Sequence, residues 1–145
     1  MDPNRFFSSV PAVREIAREL FSSIESLPIV SPHGHCESKW FATDERFSNP
    51  ADLLIGSDHY VYRMFASQGI SLDALGVARV DGTIVENDPR KIWKTFAKNM
   101  HLFRGTPTAA WLEHSFENVF GLREPLNQET ADTVSLYTSP SPRDS

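Results

Sequence analysis

Cysteine is nearly absent from this sequence of 145 residues. Cys36 is the single one, which excludes an internal disulfide and indicates a reducing compartment. Basic runs are absent too. Acidic residues outnumber lysines and arginines by 19 to 14, and the net charge of −5 argues against a nucleic-acid partner. No window approaches a membrane span, and no basic region followed by an apolar run opens the chain. These absences predict a soluble, cytoplasmic protein with no membrane partner.

Apolar residues are numerous enough for a packed core, at 40% of the sequence against 23% charged. Helical periodicity is clearest over residues 10–26, where Ser9 suits an N-cap and Pro11 a first turn. Pro28 prevents the helix from continuing. The apolar face of this helix must pack on more than a single strand; it comprises Val13, Ile16, Ala17, Leu20, Phe21 and Ile24.

Capping residues predict further helices along the rest of the chain. Residues 37–48 are expected to form an ordered loop, and Asp81-Gly82 marks a small hairpin within 77–85. A stripe of Trp and Phe at helical spacing predicts core positions after residue 88. The predicted helices start at Asn49-Pro50, Ser57-Asp58, Ser71, Asp88-Pro89, Thr106-Pro107 and Asn127, and end near Gly56, Gly69, Gly76, Leu102, Gly121 and Val134.

The stretch 27–36 carries the strongest functional pattern. Leu27 to Val30 predicts one short buried strand that opens into a loop with His33, Gly34 and His35. Side chains at i and i+2 of an extended backbone point to the same side, so the two imidazoles suit one divalent metal. The alternative is a pair of solvated loop histidines. Cys36 is interpreted as a small hydrophobic residue, with a ligand role as its alternative.

A second candidate site lies at the start of the helix over residues 59–68. His59 and Arg63 share a face, and Tyr60 lies in the same first turn. A helix N-terminus with these side chains can offer hydrogen bonds to an anionic or hydroxylated ligand. The alternative is a capped surface helix with a half-buried tyrosine.

The last eleven residues, 135–145, lose the helical period of the residues before them. They resemble the translation of a sequencing-library adapter. We therefore expect a non-native tail at 135–145, preceded by a native chain, 1–134, that is interrupted in mid-helix.

One strand and about six helices do not close into a standard single domain, but they suit the opening of a (β/α)8 barrel. Residues 6–134 resemble the N-terminal third of the uronate isomerase (glucuronate isomerase) family, in the amidohydrolase superfamily. The matching tracts are Leu27-Pro28-Ile29-Val30-Ser31-Pro32-His33-Gly34-His35, Asp44-Glu45-Arg46-Phe47, Gly56-Ser57-Asp58-His59-Tyr60 and Trp111 to Gly121.

The resemblance implies an α/β fold, the N-terminal portion of a TIM barrel of the metal-dependent hydrolase type, mostly helical in the part present. It implies His33 and His35 as ligands of a divalent metal, with zinc expected, and His59 and Tyr60 as catalytic residues beside a bound sugar acid. Arg63 matches a basic position to which no catalytic role is given. Many members have Asp where this chain has Ser31, which affects a neighbour of the ligands and not the ligands themselves.

The implied reaction interconverts D-glucuronate and D-fructuronate, or D-galacturonate and D-tagaturonate, in sugar-acid catabolism. The resemblance also implies a homo-oligomer for the full-length protein and an incomplete, inactive site in this fragment. Two alternatives stay open: a metal-dependent hydrolase on the same barrel, and a non-catalytic helical interaction module.

Overall fold

The computed structural model describes residues 2–31, 33–34, 37–45, 47–56 and 58–133. The chain separates into two compact units, Met1–Gly34 and His35–Ser145. The first contains α1 (Pro11–Ser22). The second contains α2 (Ser38–Thr43), α3 (Pro50–Leu54), α4 (His59–Ser67), α5 (Pro89–Lys98) and α6 (Pro107–Asn118), with 3-10 helices at Leu72–Leu75 and Met100–Phe103.

Local capping starts most of these helices where the sequence predicts. A side-chain oxygen of the N-cap residue accepts a hydrogen bond from a backbone N–H two or three residues on, which satisfies a donor that the helix leaves unpaired. Proline stands in the first turn of α1, α3, α5 and α6, where its missing N–H costs nothing. The caps that use this bond are Asn49, Asp58, Ser71, Asp88 and Thr106.

The predicted cap of α1 is wrong by one residue. Val10 is its N-cap and makes no side-chain bond to the helix. The Ser8 hydroxyl accepts from the Val10 N–H at 3.2 Å instead, so the serine that caps this turn lies before Ser9.

The core of the second unit is aromatic. Phe65 of α4, Trp93 and Phe96 of α5, and Phe103 are each at most 1% exposed. The rings of Phe65, Phe96 and Phe103 contact one another, with centroids 5.7–6.1 Å apart. The Trp93 indole donates a buried hydrogen bond of 2.8 Å to the carbonyl of Ala131, 38 residues away. This bond ties the last part of the described chain, around Ala131, to the same core.

The prediction of a buried strand at 27–30 is wrong for this chain. Residues 28–31 have no regular secondary structure, and Ile29 and Val30 are 93% and 91% exposed. A strand requires a partner for its backbone groups, and no described residue pairs with this stretch as a strand. The apolar face of α1 is exposed too, and α1 has no buried residue.

The predicted hairpin at 77–85 is also absent, although its turn is present. Gly82 N–H donates to the Arg79 carbonyl, and Gly82 has a φ of 73°. Glu86 then bonds back to the carbonyl of Asp73, so the segment closes as a loop on the first 3-10 helix. Gly76 is required at this closure, because a β-carbon there would lie 2.9 Å from Ile92 Cδ1 and 3.0 Å from the Glu86 carbonyl oxygen.

Four other predictions need smaller corrections. The loop predicted at 37–48 contains the short helix α2, and the helix predicted to reach Leu102 changes to 3-10 form at Met100. Trp111, which belongs to the predicted core stripe of Trp and Phe, is 50% exposed because it lies on the outer side of α6. Asn127, predicted to cap a helix to about Val134, does accept from the N–H groups of residues 129 and 130 as a cap would. Residues 128–130 form a turn, however, and helical geometry is described only over 131–133.

The contrast between two tryptophans yields a stability prediction. Replacing Trp93 by Phe leaves the buried Ala131 carbonyl without its donor, so we expect a loss of about 1–3 kcal/mol in the free energy of unfolding. Replacing the half-exposed Trp111 by Phe is the matched control, with an expected change within about 0.5 kcal/mol. Urea denaturation of both variants measures the difference. Equal losses of stability in the two variants would contradict the prediction that the hydrogen bond of Trp93 stabilises the fold.

Candidate active-site residues

His33 lies at the end of the first unit, on an exposed stretch without regular secondary structure. The Ser31 hydroxyl donates a hydrogen bond of 2.7 Å to the His33 carbonyl. Among the described residues, apart from the chain neighbours of Gly34, nothing lies within 4 Å of the position that a β-carbon on Gly34 would take. His33 itself is exposed. Its predicted partner His35, and Cys36 beside it, lie outside the described residues.

The second candidate site lies on α4, whose orientation depends on its buried face. Val61 and Phe65, four residues apart, are 1% and 0% exposed and pack into the aromatic core. His59, Tyr60 and Arg63 consequently lie on the exposed side of the same helix. The Asp58 carboxylate accepts from the Tyr60 N–H at 2.8 Å and begins the helix at this point.

The three exposed side chains meet around the ring of Tyr60. The His59 and Tyr60 ring centroids are 4.5 Å apart with planes tilted by 31°. The Arg63 guanidinium carbon lies 4.6 Å from the Tyr60 ring centroid. Tyr60 is 49% exposed. His59, Tyr60 and Arg63 thus lie together on one side of the helix, as predicted, and bring an imidazole, a phenol and a guanidinium into contact. Their catalytic use stays a prediction. The geometry by itself also fits the alternative of a capped surface helix.

Tyr62 has a structural contact that the sequence did not reveal. Its hydroxyl donates a hydrogen bond of 2.6 Å to the Gly56 carbonyl and so ties the loop before α4 to the helix. Burial raises the pKa of Tyr62 above its ordinary value of 10.0, and the negative charge of Asp58 raises it further. Helical periodicity could not identify this bond, because it joins the helix to an irregular loop.

Among the described residues, no three His, Cys, Asp or Glu side chains converge as a metal site. His33 belongs to the first compact unit and α4 to the second. Two further described histidines lie outside the candidate sites and are within hydrogen-bond distance of nearby groups, as expected for structural or surface residues. His101 Nδ1 lies 3.2 Å from the carbonyl of Lys98 at the end of α5, and His114 Nδ1 lies 3.2 Å from the Asn118 side-chain nitrogen in α6. The helices in the described residues are all too short or too polar to span a bilayer.

Comparison with known proteins decides the family. The family model of glucuronate isomerase matches residues 6–139. The chain belongs to the glucuronate isomerase family. A uronate isomerase from Brucella canis is 54% identical over 134 residues, which are 92% of this chain and 29% of that protein. One from Mesorhizobium japonicum is 50% identical over 131 residues, 90% of this chain and 28% of its own length.

Solved structures of the glucuronate isomerase family share the arrangement of this chain. Glucuronate isomerase from Caulobacter crescentus matches with a TM-score of 0.84 and 46% identity, over 94% of this chain and 28% of that one. Uronate isomerase from Thermotoga maritima matches with a TM-score of 0.68 and 25% identity, over 86% of this chain and 26% of that one. This chain thus spans less than a third of the length of these family members.

The raised pKa of Tyr62 predicts how stability depends on pH in this family member. A raised pKa means that the folded state favours the neutral phenol, so its contribution is complete below pH 10 and is lost as pH rises through the raised value. We expect Tyr62→Phe to differ from the wild type by a constant free energy of unfolding up to about pH 10, and by less above it.

Urea denaturation at a series of pH values measures this difference. The two proteins differ by the single Tyr62 hydroxyl, so their difference isolates the contribution of Tyr62. If the difference in the free energy of unfolding between the two proteins stayed constant above pH 10, the raised pKa of Tyr62 would be contradicted.

Proposed function

We propose that the full-length protein containing this chain is an aldose–ketose isomerase. It interconverts D-glucuronate and D-fructuronate, or D-galacturonate and D-tagaturonate, in sugar-acid catabolism. The observation that carries the proposal is the 54% identity to a uronate isomerase over 92% of the chain. The same observation favours an isomerase over a hydrolase or a non-catalytic helical module.

We propose a TIM barrel as the fold of the full-length protein, with residues 27–30 as its first strand. Ile29 and Val30 are apolar, β-branched and almost fully exposed in this chain, which is what a strand without its neighbours would show. A (β/α)8 barrel takes about 250 residues, and the Caulobacter crescentus relative is more than three times as long as the part that this chain covers.

The donor chemistry of 33–35 suits a divalent metal, which we propose to be zinc. The imidazole of the exposed His33 would supply one nitrogen ligand, and no described side chain occupies the space beside Gly34 where a cation would lie. His35 would supply the second nitrogen, and further ligands would come from the remaining polypeptide. When bound, the metal supplies a positive charge that polarises substrate oxygens.

The residues of α4 would move protons and orient the substrate. Isomerisation transfers a proton between C1 and C2 through an enediolate, so hydroxyl protons must be held or shuttled during the reaction. The Tyr60 phenol can donate to a substrate oxygen, and the His59 imidazole can accept or return a proton. Because their ring centroids are 4.5 Å apart, both side chains could contact the same bound sugar acid.

We propose residues 1–134 as the N-terminal part of the barrel, made of its first strand and a helical insertion, and 135–145 as a non-native tail. The tail lies outside the described residues, and the family match includes 135–139. A genomic reading frame that encodes the same eleven residues would refute the proposal that the tail is non-native. We propose that the full-length protein is a cytoplasmic homo-oligomer. Size-exclusion chromatography of the full-length protein tests its oligomeric state.

Turnover by the full-length protein tests the proposed function. We expect it to convert D-glucuronate or D-galacturonate into the corresponding ketose, followed by nuclear magnetic resonance of the sugar. Residues 1–134 alone should show no turnover, because strand edges and helical faces lose their partners. A full-length protein inactive on both pairs of uronates would refute the isomerase. An active 1–134 would refute the need for the remaining polypeptide.

Substitutions in the full-length protein separate the metal ligands from the proton-transfer residues. Either His33→Ala or His35→Ala should lower metal content and turnover together while the melting temperature changes little, since His33 is exposed. Tyr60→Phe should keep the metal and lose about 10²–10⁴-fold in kcat, because only a hydroxyl is removed.

Elemental analysis, turnover and melting temperature of the three variants distinguish these effects. His101→Ala is the matched control, since it removes an exposed histidine on another helical segment. Full metal and full rate in His33→Ala would show that this histidine is not a ligand.

A further inference from the structure

Arg63 and Tyr60 contact each other on the exposed side of α4. The Arg63 guanidinium carbon lies 4.6 Å from the centroid of the Tyr60 ring, within the range of a cation–π interaction. The two residues are three apart on α4, so their side chains are neighbours on its surface. Val61 and Phe65 are buried on the same helix and prevent it from rotating. The backbone that carries the pair is therefore rigid.

Arg63 forms no ion pair with an acidic side chain in the described part of the chain. The ion pairs found there involve Arg79 and lysines, and none includes Arg63. Arg63 is exposed, and its contact with the ring restricts a long side chain that would otherwise move freely. The contact also restricts the tyrosine. The cation prefers the ring face, so the phenol is held at a particular angle to the helix.

We propose that Arg63 is a positioning residue, which holds the Tyr60 ring so that its hydroxyl faces the bound uronate. The inference rests on the proposed isomerase function, because it concerns the catalytic use of Tyr60. Arg63 acts through the ring and makes no contact with the sugar acid. A guanidinium that bound the substrate carboxylate directly would instead change KM and would act without the hydroxyl of Tyr60.

Steady-state kinetics of the full-length protein tests the role of Arg63. We expect Arg63→Met to lower kcat by about two- to fivefold, the range that a cation–π contact at an exposed site supports, and to leave KM within about twofold. Arg63→Lys should recover at least about half of the lost rate, because a lysine cation can also lie over the ring.

Arg5→Met is the matched control for this test. Arg5 lies 4.7 Å from the ring centroid of Phe6, a contact of nearly the same length that has no part in the candidate site. Its removal should leave kcat and KM unchanged.

A double-mutant cycle shows whether Arg63 acts through the hydroxyl. If it does, adding Arg63→Met to Tyr60→Phe should change kcat by less than about 1.5-fold, since there is no longer a hydroxyl to position. A full Arg63→Met effect in the Tyr60→Phe protein, or an effect confined to KM, would overturn the proposal and indicate direct binding of the substrate by Arg63.

A spectroscopic readout tests the contact without reference to activity. In the full-length protein labelled with ¹³C-tyrosine, the Tyr60 ring resonances are assigned by their loss in Tyr60→Phe. Arg63→Met should shift these resonances, whereas Arg5→Met should not. Unchanged resonances in Arg63→Met would overturn the proposal.

The outcomes separate this inference from the proposed function. A wild-type protein with no uronate turnover refutes the isomerase, and the catalytic role of Arg63 with it. An active wild type whose kcat is unaffected by Arg63→Met refutes the role of Arg63 alone.

Discussion

The packing of Phe65 against Phe96 and Phe103 determines which way α4 faces. Its ring centroid lies 6.1 Å and 6.0 Å from theirs, in a cluster that excludes water. Side chains repeat every 3.6 residues around a helix, so burying Val61 and Phe65 turns positions 59, 60 and 63 outward. The candidate catalytic side chains owe their exposure to a hydrophobic contact on the other side of the helix, and the Asp58 cap sets where their turn begins.

The aromatic core also joins distant parts of the second unit. Trp93 packs on Phe96 and Phe116, and its indole bonds to the buried Ala131 carbonyl. A buried carbonyl needs a donor, and here the donor comes from a helix 38 residues earlier. In contrast, the first unit buries none of the apolar face of α1. That difference suits a polypeptide in which this chain supplies under a third of the family's length.

Local structure was largely predictable because its causes are local. Asn49, Asp58, Asp88 and Thr106 each bond to a backbone N–H two or three residues on, and the sequence displays that spacing directly. The grouping of His59, Tyr60 and Arg63 followed in the same way from positions on one helix. The bond from Tyr62 to Gly56 was missed, since it reaches an irregular loop whose path no periodicity describes.

The sequence by itself determined most of the helix starts, the aromatic composition of the core and the placement of His59, Tyr60 and Arg63 on one helix, because each depends on residue type and on neighbours within one or two turns. Only the tertiary structure decided that Trp93 is buried and Trp111 half exposed, although both lie on helices with the same kind of apolar stripe. It also decided that Ile29 and Val30 form no strand here. Burial and strand pairing depend on which surfaces meet, and a single stretch of sequence contains only one of the two surfaces.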